Sequence, residues 1–452
     1  MIGDFARWGD RVVLGCDDTA KSEFLNKHPL KGDLAGPGQS QSNLWFLAPA
    51  QLDSFGPALG RGAVWMGDDV KAGIASEPML FSGFRYKSLQ IKHAEAEAVF
   101  KSPAITLELD ALGNGQWKEL RQVPLLGPDQ WIDLSGEKGI WIRLRTNQDL
   151  TGVAAVFHFR GEDKRAAEAS PIFAGLGEGA VSQGVIHARG GGSKTLRFIH
   201  DGSAYDLDGE LHLKNANDPA GAEWTAKNAA IPASKLSADS ASAFYLDASG
   251  KRWRFPKGTH TDGARVCREV CTERNLLNAY GTFYEMPAEN AGGFPKIRPI
   301  ATHNRAIFDY ASYRGLLVMS GISADAKGEH IVRSDDGKCA LWIGAVDDLW
   351  SLGKPRGSGG PWHETAAKAG VPSDPYLATG FDKKRLTLTS SVAAIIRVEA
   401  DFTGTGAWSE VIMLHAAAGQ SLNHQFSEAF GAYWLRIVSD QDTTATATFL
   451  YE

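Results

Sequence analysis

Four cysteines in 452 residues (Cys16, Cys267, Cys271 and Cys339) are too few for a disulfide framework. Cys267 and Cys271 stand four apart in RVCREVCTERN, which places them on one strand face. A bridge there would be strained, and a zinc site would need two more ligands at suitable spacing, so both read as buried thiols. No run approaches the roughly 18 apolar residues of a membrane-crossing helix. A net charge of −6, from 47 Lys and Arg against 53 Asp and Glu, gives no basic face for nucleic acid or an anionic membrane. The opening MIGDFARWGDRVV has no basic region followed by an apolar run. The compartment therefore stays open: periplasmic or secreted if a leader preceded this sequence, cytoplasmic otherwise.

Nucleotide, metalloprotease and serine-hydrolase signatures are also missing: no GxGxxG after a strand, no GxxxxGK[ST], no HExxH and no GxSxG. ARGGGSKT (188–195) lies among strand patterns and reads as a hairpin. No metal site and no cofactor are expected. A structural calcium ion at Asp17 and Asp18 would need more regular oxygen spacing than that loop provides.

What the chain does have is 50 glycines, 13 tryptophans and strand-like alternation. ITLELD, WIRLR, LTLTS, IIRVEAD and WLRIVSD alternate apolar with polar residues, separated by turn phrases such as GNGQ and TGTG. Helical periodicity is nearly absent; GPWHETAAKAG (360–370) is the one place for a short helix.

The chain also repeats itself. KAGIASEPMLFSGF (71–84) returns as KAGVPSDPYLATGF (368–381), 297 positions later. SNLWFLAPAQLDSFG (42–56) meets CALWIGAVDDLWSLG (339–353), and ELDALGNGQW (108–117) meets EADFTGTGAW (399–408). The duplicated unit covers 4–160 and 309–452, with an unlike middle at 161–308. Short strands over this length suit a β-propeller, with roughly 28 strands making seven four-stranded blades. That is the expected fold: all-β, one propeller domain over 1–452, the repeated phrase opening a blade. A string of β-sandwiches, including 71–160 and 368–452, is the alternative.

Repeated positions are scaffold, so chemistry is sought where the copies differ. The unrepeated stretch CREVCTERNLLNAYGTFYEM (267–286) and IRPIATHNR (297–305) offers Arg268, Arg274, Asn275, Tyr280, His303, Asn304 and Arg305. Such groups are costly to bury unpaired, so they form either an interior ion-pair network or a site. Arginine forks onto carboxylates, and His and Tyr exchange protons. His303, Tyr280, Arg274 and Arg305 are the candidate catalytic residues. Candidate substrate contacts are His187 and Arg189 on one strand, Arg268, Asn275 and Asn304, and Asp17 and Lys21 in the divergent loop 15–32.

THNRAIFDYASYRGLLVMSG, RSDDGKCALWIGAVDDLW and GKPRGSGGPW resemble the β-propeller carbohydrate-active enzymes of polysaccharide-degrading bacteria. Within that group, seven-bladed polysaccharide lyases use His, Tyr and Arg. The resemblance implies an oligosaccharide or polysaccharide partner. It suits cleavage of a glycosidic bond in a uronic-acid-containing glycan, by β-elimination or, with two carboxylates in place, by hydrolysis. A non-catalytic module that binds glycan or protein is the reading from another class.

Overall fold

The computed structural model describes residues 2–16, 43–94, 102–179, 181–189, 194–233, 235–258, 265–271, 274–323 and 325–452. Among the described residues the chain is all-β, built of sheets that are antiparallel but for one parallel pairing, Arg254 with Tyr376, and none of them closes on itself. It divides into two compact units: residues 1–55, 165–237 and 257–357 form one, and 56–164, 238–256 and 358–452 the other. Each copy of the repeat is therefore split, its first strands in one unit and its remainder in the other.

The second unit holds two β-sandwiches that share one order of strands, one sheet of the second being extended beyond Tyr376–Leu377 by Arg252–Phe255 and Ala243–Leu246. In the first, one sheet runs Met79–Leu80, Trp141–Thr146, Ala104–Asp110, Trp117–Pro124. Its facing sheet runs Leu59–Val70, Leu150–Arg160, Tyr86–Lys92, Asp129–Asp133. In the second, the corresponding strands are Tyr376–Leu377, Trp434–Ser439, Ala394–Asp401 and Trp408–Ala416, facing Gly357–Ala367, Thr443–Tyr451, Lys384–Ser390 and Leu422–Gln425. Alternation in ITLELD puts Ile105, Leu107 and Leu109 inward, where they meet Leu89, Ile91 and Phe157 of the opposite sheet. Each such fully buried side chain contributes roughly 1.5–3 kcal/mol. Two expectations are corrected here. The repeated phrase opens a sandwich rather than a blade, because Leu80 and Leu377 pair with Trp141 and Trp434. Residues 360–370 form no helix; most of them belong to the strand Gly357–Ala367.

The repeated phrases each have a physical job. Asp110 accepts N–H bonds from Leu112, Gly113, Asn114 and Gly115, and Asp401 from Thr403, Gly404, Thr405 and Gly406. Each carboxylate thus ties down a tight hairpin whose last glycine needs φ near +80° (Gly115 +81°, Gly406 +83°). Lys71 pairs with Asp149 at 2.7 Å, and Lys368 with Asp442 at 2.8 Å.

The first unit stacks three four-stranded sheets face to face. Sheet A is Val185–Ala188, Leu196–His200, Ser203–Leu207 and Leu213–Asn215. Sheet B is Cys267–Cys271, Arg274–Ala279, Thr282–Pro287 and Arg298–Thr302. Sheet C, between them, is Tyr310–Tyr313, Leu316–Met319, Ala340–Gly344 and, at its edge, Ile331–Arg333. One face of sheet C sets Ala311, Val318 and Leu341 against Ile186, Phe198 and Leu207 of sheet A. The other sets Tyr310, Leu317 and Trp342 against Leu276, Phe283 and Ile300 of sheet B. A further sheet, Ile2–Trp8, Arg11–Cys16 and Asn43–Leu47, is the first-copy counterpart of sheet C.

Both sandwiches bury the same lysine. Lys87 donates to Glu137 O at 2.8 Å, and Lys384 to Phe381 O at 2.7 Å and Phe430 O at 3.2 Å. Complete burial, with Arg160 nearby, pulls the Lys384 amine from 10.5 down to about 7. The unfolded chain then binds more protons than the folded one between pH 7 and 10, so stability rises with pH across that window. Lys384→Met removes this slope. Thermal melts from pH 6 to 10 should show wild type gaining on the variant by on the order of a few kcal/mol as pH rises.

Candidate functional site

The outer face of sheet A carries a row of polar side chains across four strands: His187 opposite Arg197, Arg197 opposite Asp206, Asp206 opposite Lys214. A helix, α1 (Pro219–Asn228), lies over this face and buries Ala222 against Ile199 and Ala204. Asp218 caps it by accepting the Gly221 N–H at 2.8 Å, with Pro219 in the first turn. Arg197, 3 % exposed, forks onto Asp206 at 2.8 and 2.9 Å and donates a third bond to Asp218 at 2.7 Å. A Cβ on Gly221 would lie 2.4 Å from Arg197 Nη1, so the guanidinium and the glycine require each other. Bonds from Arg197 and then from Gly221 hold the Asp218 carboxyl below its usual range.

On this floor stand three groups with room to meet a ligand. Trp224 of α1 is 56 % exposed. The half-buried His187 ring lies 5.8 Å from the indole, tilted by 50°. Arg189 donates to Asp206 at 3.0 Å, and its side chain is 38 % exposed. Burial first, then Arg268 and Arg197, push the His187 pKa below its ordinary value, so the ring is neutral at pH 7. Trp224 escaped the sequence reading because α1 lacks strong apolar periodicity. The usable signal was in NDPAGAEW, an Asp cap followed by Pro.

Arg268 reaches the same region from sheet B, donating to Ile186 O at 3.1 Å and lying 3.6 Å from Asp309. Asp309 is fully buried and is gripped by the fork of Arg265 and by the N–H groups of Ile186 and Tyr310, both at 2.8 Å.

His303, Arg305, Asn304 and Tyr280 gather instead at one end of sheet B. Tyr280 (φ +48°) and Gly281 (φ +77°) form the two-residue turn between Arg274–Ala279 and Thr282–Pro287. His303 Nδ1 accepts the Arg305 N–H at 3.0 Å, and Nε2 bonds Asn278 Oδ1 at 3.1 Å. Nε2 therefore carries the proton of the neutral ring, and its one nitrogen lone pair, on Nδ1, is already in use. Arg305 donates to Phe173 O and Leu176 O at 3.1 and 2.8 Å and pairs with Glu178 at 2.7 Å. Asn304 is exposed at φ +49°. Asn275 sits within sheet B opposite Met286 and Glu269, and Arg274 opens its strand. Asp17 and Lys21 lie outside the described residues. Burial raises the Cys267 thiol to about 11, leaving it little thiolate at neutral pH.

No family model matches this chain, and no curated protein matches it. Among solved structures, the PBSX exported protein XepA is 8 % identical over 90 % of each chain, at a TM-score of 0.17. The M60 catalytic domain with CBM51 domains from Clostridium perfringens ZmpB is 9 % identical over 100 % of this chain and 43 % of that one, at 0.14. A glycoside hydrolase family 32 protein from Bifidobacterium adolescentis is 8 % identical over 85 % and 99 %, also at 0.14. Scores at this level carry neither a fold nor an activity across to this chain.

Removing the buried carboxylate with Asp309→Ala leaves Arg265 buried without its partner and should destabilise the first unit by about 3–5 kcal/mol in urea unfolding. Trp224→Ala, on the exposed side of α1, should leave stability within about 0.5 kcal/mol.

Proposed function

We propose that this protein binds an acidic saccharide on the outer face of sheet A. The observation behind this reading is the grouping of an exposed indole, a neutral imidazole and an arginine within one patch. An indole face covers the apolar face of a pyranose ring, and Arg189, which among the described residues places one of its five donors on Asp206, has further N–H groups to offer a uronate carboxylate. Calorimetric titration with uronate-containing oligosaccharides tests it. Trp224→Ala should weaken binding by roughly tenfold or more. Arg189→Ala should weaken uronate ligands and spare their neutral counterparts. Equal loss for both ligand types would remove the carboxylate from the reading.

Cleavage is the second reading, and His187 supports it. Among the described residues no hydrogen-bond partner of its ring is found, and the neutral form offers a lone pair for a proton. In β-elimination that lone pair takes the C5 proton, the C4–O bond breaks, and a C4=C5 double bond remains. The proton needed by the departing oxygen comes from water. Absorbance at 235 nm after mixing with uronate oligosaccharides reports new unsaturated ends. Loss of that signal in His187→Ala with retention in His303→Ala is the expected pattern; the reverse would move the base to His303.

A further inference from the structure

The first sandwich grips the second. Arg160 pairs with Asp382 and donates to Glu428 O at 2.7 Å, and Ser88 donates to Ala429 O at 3.1 Å. Asp133 accepts from Ser427 at 2.5 Å, and His158 lies 5.6 Å from the ring of Phe402. The receiving side is the outer face of the sheet holding Tyr86–Lys92, Asp129–Asp133 and Leu150–Arg160.

Strand register fixes what stands at those places on the second sandwich. Lys87 pairs with Phe159 as Lys384 does with Tyr451, and Ser88 pairs with Asp133 as Arg385 does with Gln425. Glu452, Gln425 and Leu450 therefore correspond to Arg160, Asp133 and His158. All three line a cleft of ≈ 480 Å³ on the second sandwich, the counterpart of the place where the first holds its neighbour.

The delivering side is duplicated as well. Arg85 corresponds to Asp382, Ser135 to Ser427 and Ala111 to Phe402. Three of the gripping pairs map onto compatible ones. Asp133 with Ser427 becomes Gln425 with Ser135, and His158 with Phe402 becomes Leu450 with Ala111. Arg160 with Asp382 becomes Glu452 with Arg85: the same ion pair with its signs exchanged. Arg85 and Glu452 are both exposed in the single chain. A charge reversed on both sides of an interface keeps attraction, whereas reversal on one side alone would repel.

We propose that the cleft of the second sandwich receives the first sandwich of a second copy of this chain, head to tail, with Arg85 of one copy against Glu452 of the next. Such an interface is heterologous, so it propagates into a closed ring or a filament according to the rotation between copies. It uses neither Trp224 nor His187 and stands apart from saccharide binding.

Sedimentation velocity of the full chain over a concentration series, at low and high salt, tests this. Species at multiples of 48.7 kDa are expected, weakening as salt screens the pair. Arg85→Glu and Glu452→Arg should each weaken association by about tenfold. The double variant should recover it. Mixing the two single variants should do the same, since the glutamate introduced in one then meets the arginine introduced in the other. Melting curves matching wild type confirm that the singles fold, as expected for exposed positions. A chain that stays at 48.7 kDa at the highest concentration reached overturns the proposal, whatever else occupies the cleft. So does association that the single variants leave unchanged, or that neither the double variant nor the mixture restores.

Discussion

Asp309 is the group on which the first unit depends. A carboxylate with no exposure to water is tolerated only when its charge and lone pairs are met in full. Its partners come from every direction: Arg265 just ahead of sheet B, the Ile186 N–H of sheet A, the Tyr310 N–H of sheet C, with Arg268 3.6 Å away. The stack of three sheets is thus fixed electrostatically as well as by apolar contact. The outer face of sheet A inherits that rigidity, because Arg268 and Ile186 join the Asp309 cluster to the strand that bears His187 and leads into Arg189.

The duplicated copies show how one sequence pattern meets different surroundings. DFARW and DYASY both form first strands of their sheets, followed by hairpins. In the second copy the aspartate is Asp309 and its neighbours are buried. In the first it is Asp4, exposed and bonded to its own neighbour Phe5 N–H at 2.7 Å, while Trp8 is 66 % and Leu44 68 % exposed. The sandwiches diverge in the same manner. Their cores match strand for strand, and Lys87 and Lys384 sit in equivalent burial, yet the residues outside the cores changed freely. Arg160 against Glu452 and Asp382 against Arg85 are the most informative of those changes, because they altered together.

The sequence carried the duplication, the all-β character and the concentration of arginine in the unrepeated middle. Period-two alternation says that a strand has one inward face. It does not say which sheet covers that face, so ITLELD reads equally well as a blade strand or a sandwich strand. The expected propeller of seven blades rested on that ambiguity. α1 was legible only through its cap, since propensity and moment were weak and tertiary packing supplies its stability. His303 and Arg305 looked reactive because residue type is visible in a sequence and hydrogen-bond partners are not. In the fold, one holds a turn and the other clamps the carbonyls of Phe173 and Leu176.

By itself, then, the sequence determined which residues alternate, where turns fall and that one unit was written twice, for these are local properties of adjacent residues. Tertiary structure alone decided which copy's aspartate became a buried hub and which imidazole gave its lone pair to a backbone N–H. It also decided where an indole met an imidazole. Each of those depends on contacts between residues far apart in the chain, and contact is a property of the packed molecule.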